Sequence, residues 1–173
     1  MNKIAKILLL FLLISVQVSL VPTLPYPFQT LYPVFIFAIF TTIMYSDLSG
    51  LFWTLILGLS MDYFSSQPFG IITFSLFTTM LLMHLLFELM FTNKSFYSLG
   101  VLAVIGNILF NALVIALSFV TYFFKIHTIK VHWGMELIQS IIWQTILTVV
   151  MLFFVWKIAN LLSKRFKIVF LSQ

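Results

Sequence analysis

Six apolar stretches follow one another along this chain, separated only by short polar or proline-bearing joints, and a chain patterned in that way has almost no surface to offer to water. The stretches cover about 4–21, 31–45, 51–64, 71–91, 99–124 and 135–159. An α-helix needs about 20 apolar residues to cross a hydrocarbon core of about 30 Å, so 173 residues hold six crossings, their joints and little else. Only 8% of the residues are charged, against about 25% in a soluble domain. None of the stretches alternates in the way a barrel strand with an aqueous face must. The expected fold is an all-α integral membrane protein, a compact bundle of about six transmembrane helices forming one domain over residues 1–173.

Charge placement sets the expected orientation, because Lys and Arg near the spans are retained on the cytoplasmic side. With the N-terminus inside, the inner set is Lys3, Lys6, Lys94, Lys157, Lys164, Arg165 and Lys167, and the outer set is Lys125 and Lys130. Both termini are therefore expected inside. The first stretch follows a positive segment, as in a signal peptide, but no A-x-A-like site comes after it, so it reads as an uncleaved anchor. The net charge of +5 sits mostly at the ends of apolar stretches, which argues for headgroups and against nucleic acid. The chain has no cysteine, which excludes disulfides and thiolate chemistry.

The third stretch carries the most informative spacing. Gly50, Thr54, Gly58 and Asp62 recur every fourth residue and share one helix face. Small residues at that spacing let backbones approach closely in lipid, either within the bundle or against a partner's helix. A carboxylate at the bilayer centre costs about 2.5–3.5 kcal/mol, so Asp62 needs donors. The turn that follows, with Pro68 fixing one dihedral and Gly70 permitting a left-handed one, supplies them, and a brace for this turn is the expectation, with a proton or cation site as the alternative.

Other polar residues have simpler readings. His84 and Glu88 stand one turn apart and read as an interfacial pair, with a proton relay as the alternative. Asn107 and Asn111 in the fifth stretch, and Gln139 and Gln144 in the sixth, read as hydrogen-bonding glue across helices, with a ligand pocket as the alternative. Lys125, His127, Lys130, His132 and Trp133 form a basic and aromatic collar, and His132 with Glu136 is too sparse for a metal site. No nucleophile elbow, phosphate loop or zinc motif appears, so neither an enzyme nor a cofactor is expected.

The run from Gly50 to Gly70, with its Gly58-x-x-x-Asp62 step, short polar turn and Pro68-Phe69-Gly70 lead into the next span, resembles the central signature of the bacterial rod shape-determining MreD family. Where that family commonly opens its second span with Arg-Pro and a polar residue, this chain reads Tyr32-Pro33-Val34. The resemblance implies a non-enzymatic, multi-pass subunit of the cell-elongation complex in the cytoplasmic membrane. It implies binding to the bitopic protein MreC and work alongside MreB and the glycan polymerase and transpeptidase that build the lateral peptidoglycan. It also implies a fold similar to the substrate-binding subunits of energy-coupling-factor transporters, which makes a vitamin-type binding subunit the rival function.

Overall fold

Helix is the only regular structure among the described residues, as an apolar backbone without water to satisfy it requires. The structure, a computed structural model, describes residues 3–44, 49–90, 96–124 and 134–170. Six α-helices run in the order α1 (Lys3–Ser15), α2 (Pro33–Met44), α3 (Ser49–Phe64), α4 (Ile71–Met90), α5 (Phe96–Phe123) and α6 (Met135–Phe170). The coil of α1 continues through a π-helical turn, Val16–Leu20, and a 3₁₀ turn, Val21–Thr23, before the chain extends at Leu24 (φ −74°, ψ 148°). Another 3₁₀ turn, Phe28–Thr30, precedes α2, and Pro33 opens that helix at its first position, where a missing N–H leaves nothing unpaired.

The helices differ in reach. Three contain a segment long and apolar enough to cross a membrane: Ile71–Leu89, Tyr97–Phe123 and Met135–Ile158. At 1.5 Å per residue α2 and α3 extend only about 18 and 24 Å, short of a core of about 30 Å, although both stretches were expected to cross. Past Ile158, α6 stays helical to Phe170.

The shortest helix occupies the middle. α2 touches every other helix of the bundle, and its Val34, Phe35, Ala38 and Ile39 have no exposed surface at all. A helix that is apolar all round must be kept from water by a core or by lipid, and α2, PVFIFAIFTTIM, has the core around it. Leu57 and Met61 of α3, Leu76, Met80 and Met83 of α4, Leu99 and Leu102 of α5 and Leu152 of α6 complete one core. Aromatic rings join it at the α2–α5 contact, where Phe110 lies 5.2 Å from Phe35 and 5.6 Å from Tyr32.

Candidate functional site

The densest packing in the fold is between α3 and α4, and it centres on the residues of the Gly50 to Gly70 run. A helix start leaves its first N–H groups without partners, and a capping side chain normally accepts from the second or third of them. At the start of α4 the cap position is held by Gly70, which has no side chain and a φ of +99° that other residues rarely adopt. The acceptor comes instead from the helix before. Asp62, 3% exposed near the end of α3, accepts from the Ile72 N–H at 3.0 Å and the Thr73 N–H at 2.9 Å, and the Thr73 hydroxyl donates to its second oxygen. Such charge-assisted bonds are about twice as strong as neutral ones. The carboxylate thus sits at the positive end of the α4 dipole with three donors facing it.

The turn between the helices is held from both sides. The Ser65 hydroxyl accepts from the Gln67 N–H at 3.0 Å, the Ile71 N–H donates to the Pro68 carbonyl at 3.3 Å, and the Ser118 hydroxyl of α5 donates to the Gln67 side chain at 3.3 Å. Pro68 therefore lends its carbonyl to the α4 start, and Gln67 ties the turn to a third helix.

One turn below Asp62, a Cβ on Gly58 would lie 2.8 Å from the Thr73 Cα, closer than atoms of two backbones can stand. Two turns further, a Cβ on Gly50 would meet the Thr42 Cα at 3.0 Å and the Thr41 carbonyl oxygen at 3.1 Å. Thr54 between them is fully buried and donates to the Gly50 carbonyl at 3.0 Å. The stripe Gly50, Thr54, Gly58 is thus filled by α2 and α4 of the same chain. Of the two readings of this spacing, packing within the bundle is the one these close approaches support.

The remaining polar residues fall into two groups. On α4, His84 Nε2 lies 3.3 Å from Glu88 Oε1, with His84 mostly buried and the Glu88 side chain 58% exposed, an i, i+4 pair open to its surroundings at the acid. Between α5 and α6, fully buried Asn107 donates through Nδ2 to the Thr145 hydroxyl at 2.6 Å, and Asn111 Nδ2 lies 3.1 Å from Gln144 Oε1 and 2.9 Å from the Asn107 carbonyl. Gln139 is exposed and outside this network. Replacing Asn107 with leucine leaves the site apolar but forces extra volume against Thr145, and we expect a loss of about 1–2 kcal/mol in thermal unfolding of the purified protein. An unchanged midpoint would show that the network adds nothing.

Sequence reasoning passed over Thr73 and Thr145, both partners of residues it had singled out. Thr73 had a signal: it is the third residue of a helix whose cap is a glycine, so its N–H had to find an acceptor elsewhere. Glu136 is exposed in the first turn of α6. Lys94, Lys125, His127, Lys130, His132 and Trp133 lie outside the described residues.

A tightly closed α3–α4 hairpin, built on a glycine step and an aspartate that caps the next helix, is the feature against which comparison with known proteins can be weighed. The family model of rod shape-determining protein MreD matches residues 1–161. The chain belongs to the MreD family. No curated protein and no solved structure matches it. Membership links the chain to rod-shape determination and to a family of structural membrane proteins, not to a known enzyme family. The MreD match takes in all of α1 to α5 and the apolar part of α6, so the signature hairpin is matched in its full helical setting.

Proposed function

We propose that this chain is a non-enzymatic, multi-pass subunit of the cytoplasmic membrane, with both termini inside, that binds an MreC-like bitopic protein and through it helps organise lateral peptidoglycan synthesis by the cell-elongation complex. The observation that carries this reading is the MreD family match over residues 1–161. Physical support comes from the use of polar groups: Asp62, Asn107 and Asn111 spend their hydrogen bonds on joining helices, which is what a scaffold needs. The six-crossing topology stays within the proposal, with α2 and α3 as its short members.

A partner's single helix finds room on α6. Only 11% of its apolar window is buried in the fold, against 39% for that of α4 and 33% for that of α5. Ile142, Ile146 and Val150 line up at every fourth position on its outward face. The test is co-purification from membranes with an MreC homologue, together with depletion in a rod-shaped cell. The expected outcome is a stable complex, weakened when Ile146 is replaced by arginine, and rounding of depleted cells. Cells that kept their rod shape after depletion would sink the elongation role.

A further inference from the structure

We infer that residues 24–32, which join α1 to α2, form the floor of a water-filled recess that sinks into the membrane from the end of the bundle carrying the α3–α4 turn; this rests on the membrane reading above. The walls stand well above the floor. At one end of the joint the Tyr26 ring meets Trp143 edge-on at 6.5 Å, and Trp143 lies eight residues, or about 12 Å, below Met135, the first residue of α6. At its other end the Tyr32 ring lies 5.6 Å from Phe110, which is eight residues, again about 12 Å, below Ser118, the residue of α5 that holds the α3–α4 turn through Gln67. Both flanks agree on the depth. Beneath the joint, the apolar windows run on for only about 22 Å from Trp143 to Ile158 and about 20 Å from Phe110 to Tyr97, so the floor lies about 8–10 Å inside a hydrocarbon core of about 30 Å.

Non-helical backbone at such a depth must either be buried in protein or line a water-filled space. This joint is not buried, since Leu24, Tyr26, Phe28 and Gln29 are all exposed. Nor does it satisfy itself. Pro25 and Pro27 lack an N–H, and the N–H groups of Leu24, Phe28, Thr30 and Leu31 donate to nearby carbonyls at 2.9–3.2 Å, but those of Tyr26, Gln29 and Tyr32 have no acceptor among the described residues. Donors stranded against lipid are costly, whereas water pairs with them freely, and the exposed Gln29 side chain adds a carboxamide to the same need. Leu24 and Phe28, exposed on the same joint, suit a floor at the boundary between water and lipid. The recess also accounts for the short α2. A helix that starts from this floor has only about 20–22 Å left to cross, close to the roughly 18 Å that its 12 residues span.

The chain has no cysteine, so single thiols can be placed at will. Gln29→Cys on the floor is compared with Ile142→Cys, which neighbours Trp143 at the same depth but on the outward face of α6. Ser66→Cys in the α3–α4 turn and Gly134→Cys before α6 serve as rim controls, both at exposed positions. Each purified variant is reconstituted in liposomes and freeze-thawed with a membrane-impermeant maleimide, so that both aqueous faces are presented whatever the orientation. Maleimide needs the thiolate, which water supports and hydrocarbon disfavours, so Gln29→Cys should react within about threefold of the rim controls and Ile142→Cys at least about tenfold more slowly, all four becoming alike in SDS. A Gln29→Cys rate as slow as that of Ile142→Cys overturns the recess and leaves the membrane reading standing. Reaction of Ile142→Cys at the control rate would mean that hydrocarbon does not reach this depth, and overturns the recess as well. Failure of all four variants to incorporate into liposomes would overturn the membrane reading and this inference with it.

Discussion

Replacing Asp62 with alanine should lower the stability of the purified protein by about 3 kcal/mol. The reason lies in what would be left behind. The Ile72 and Thr73 N–H groups and the Thr73 hydroxyl all donate to this one carboxylate, which is itself 3% exposed. A hydrogen bond to a charged group contributes about 1.5–3 kcal/mol, and leaving a buried donor unpaired costs about 1–3 kcal/mol, so two stranded amides suffice for the figure. Asp62→Asn keeps one acceptor oxygen and should lose less than the alanine variant. Thermal unfolding in detergent measures both. If alanine matched the wild type, the cap would have no energetic role; if asparagine and alanine lost equally, the charge and not the number of acceptors would be what matters. Steady-state levels in the membrane should follow the same order, because a variant weakened by this much is cleared faster.

How much of this was legible from the chain depends on whether a residue's partner is local. The need for an acceptor in the Ser65 to Gly70 turn can be read from its sequence, and Asp62 is the one carboxylate close by. That the donors are the second and third residues of α4 can be counted from Gly70, yet Thr73 looks like any other helical threonine until α3 is laid beside it. The stripe at Gly50, Thr54 and Gly58 shows in the spacing, but spacing reports only the helix that carries it. Which helix faces it is decided by the tertiary fold, and here Thr41 and Thr42 of α2 share it with Thr73 of α4. Hydropathy located the stretch 31–45 but not the start of its helix, which begins at Pro33. It sums apolarity without regard to backbone shape, so a non-helical segment rich in proline and aromatic residues and the helix that follows it count alike. In the α5–α6 network, Asn107 and Asn111 stand out as amides in an apolar helix, whereas Thr145 also donates to the Ile141 carbonyl of its own helix and so gives no sign that it serves another.

Gly58→Leu should damage the isolated protein as much as any complex it enters, and this separates a packing role from a docking role for that face. The first atom of any side chain here would stand 2.8 Å from the Thr73 Cα, and the Thr73 Cβ and Cγ2 are at 3.3 Å. The obstacle is backbone, so no rotamer change relieves it, and α3 and α4 must separate along the surface where they pack most closely. Overpacking of a tight interior costs about 1–3 kcal/mol, and here the separation also stretches the Asp62 bonds one turn above, so we expect a loss at or beyond the upper end of that range. Thr73→Ala in the same chain should restore little, because it removes Cγ2 and the hydroxyl but leaves the Cα in place. Gly58→Ala should already show part of the loss. Thermal unfolding of the purified protein, with no partner present, is the deciding measurement. A wild-type midpoint for Gly58→Leu, combined with loss of an MreC homologue on co-purification, would return this face to the partner and overturn the assignment of Gly58 to the contact between α3 and α4.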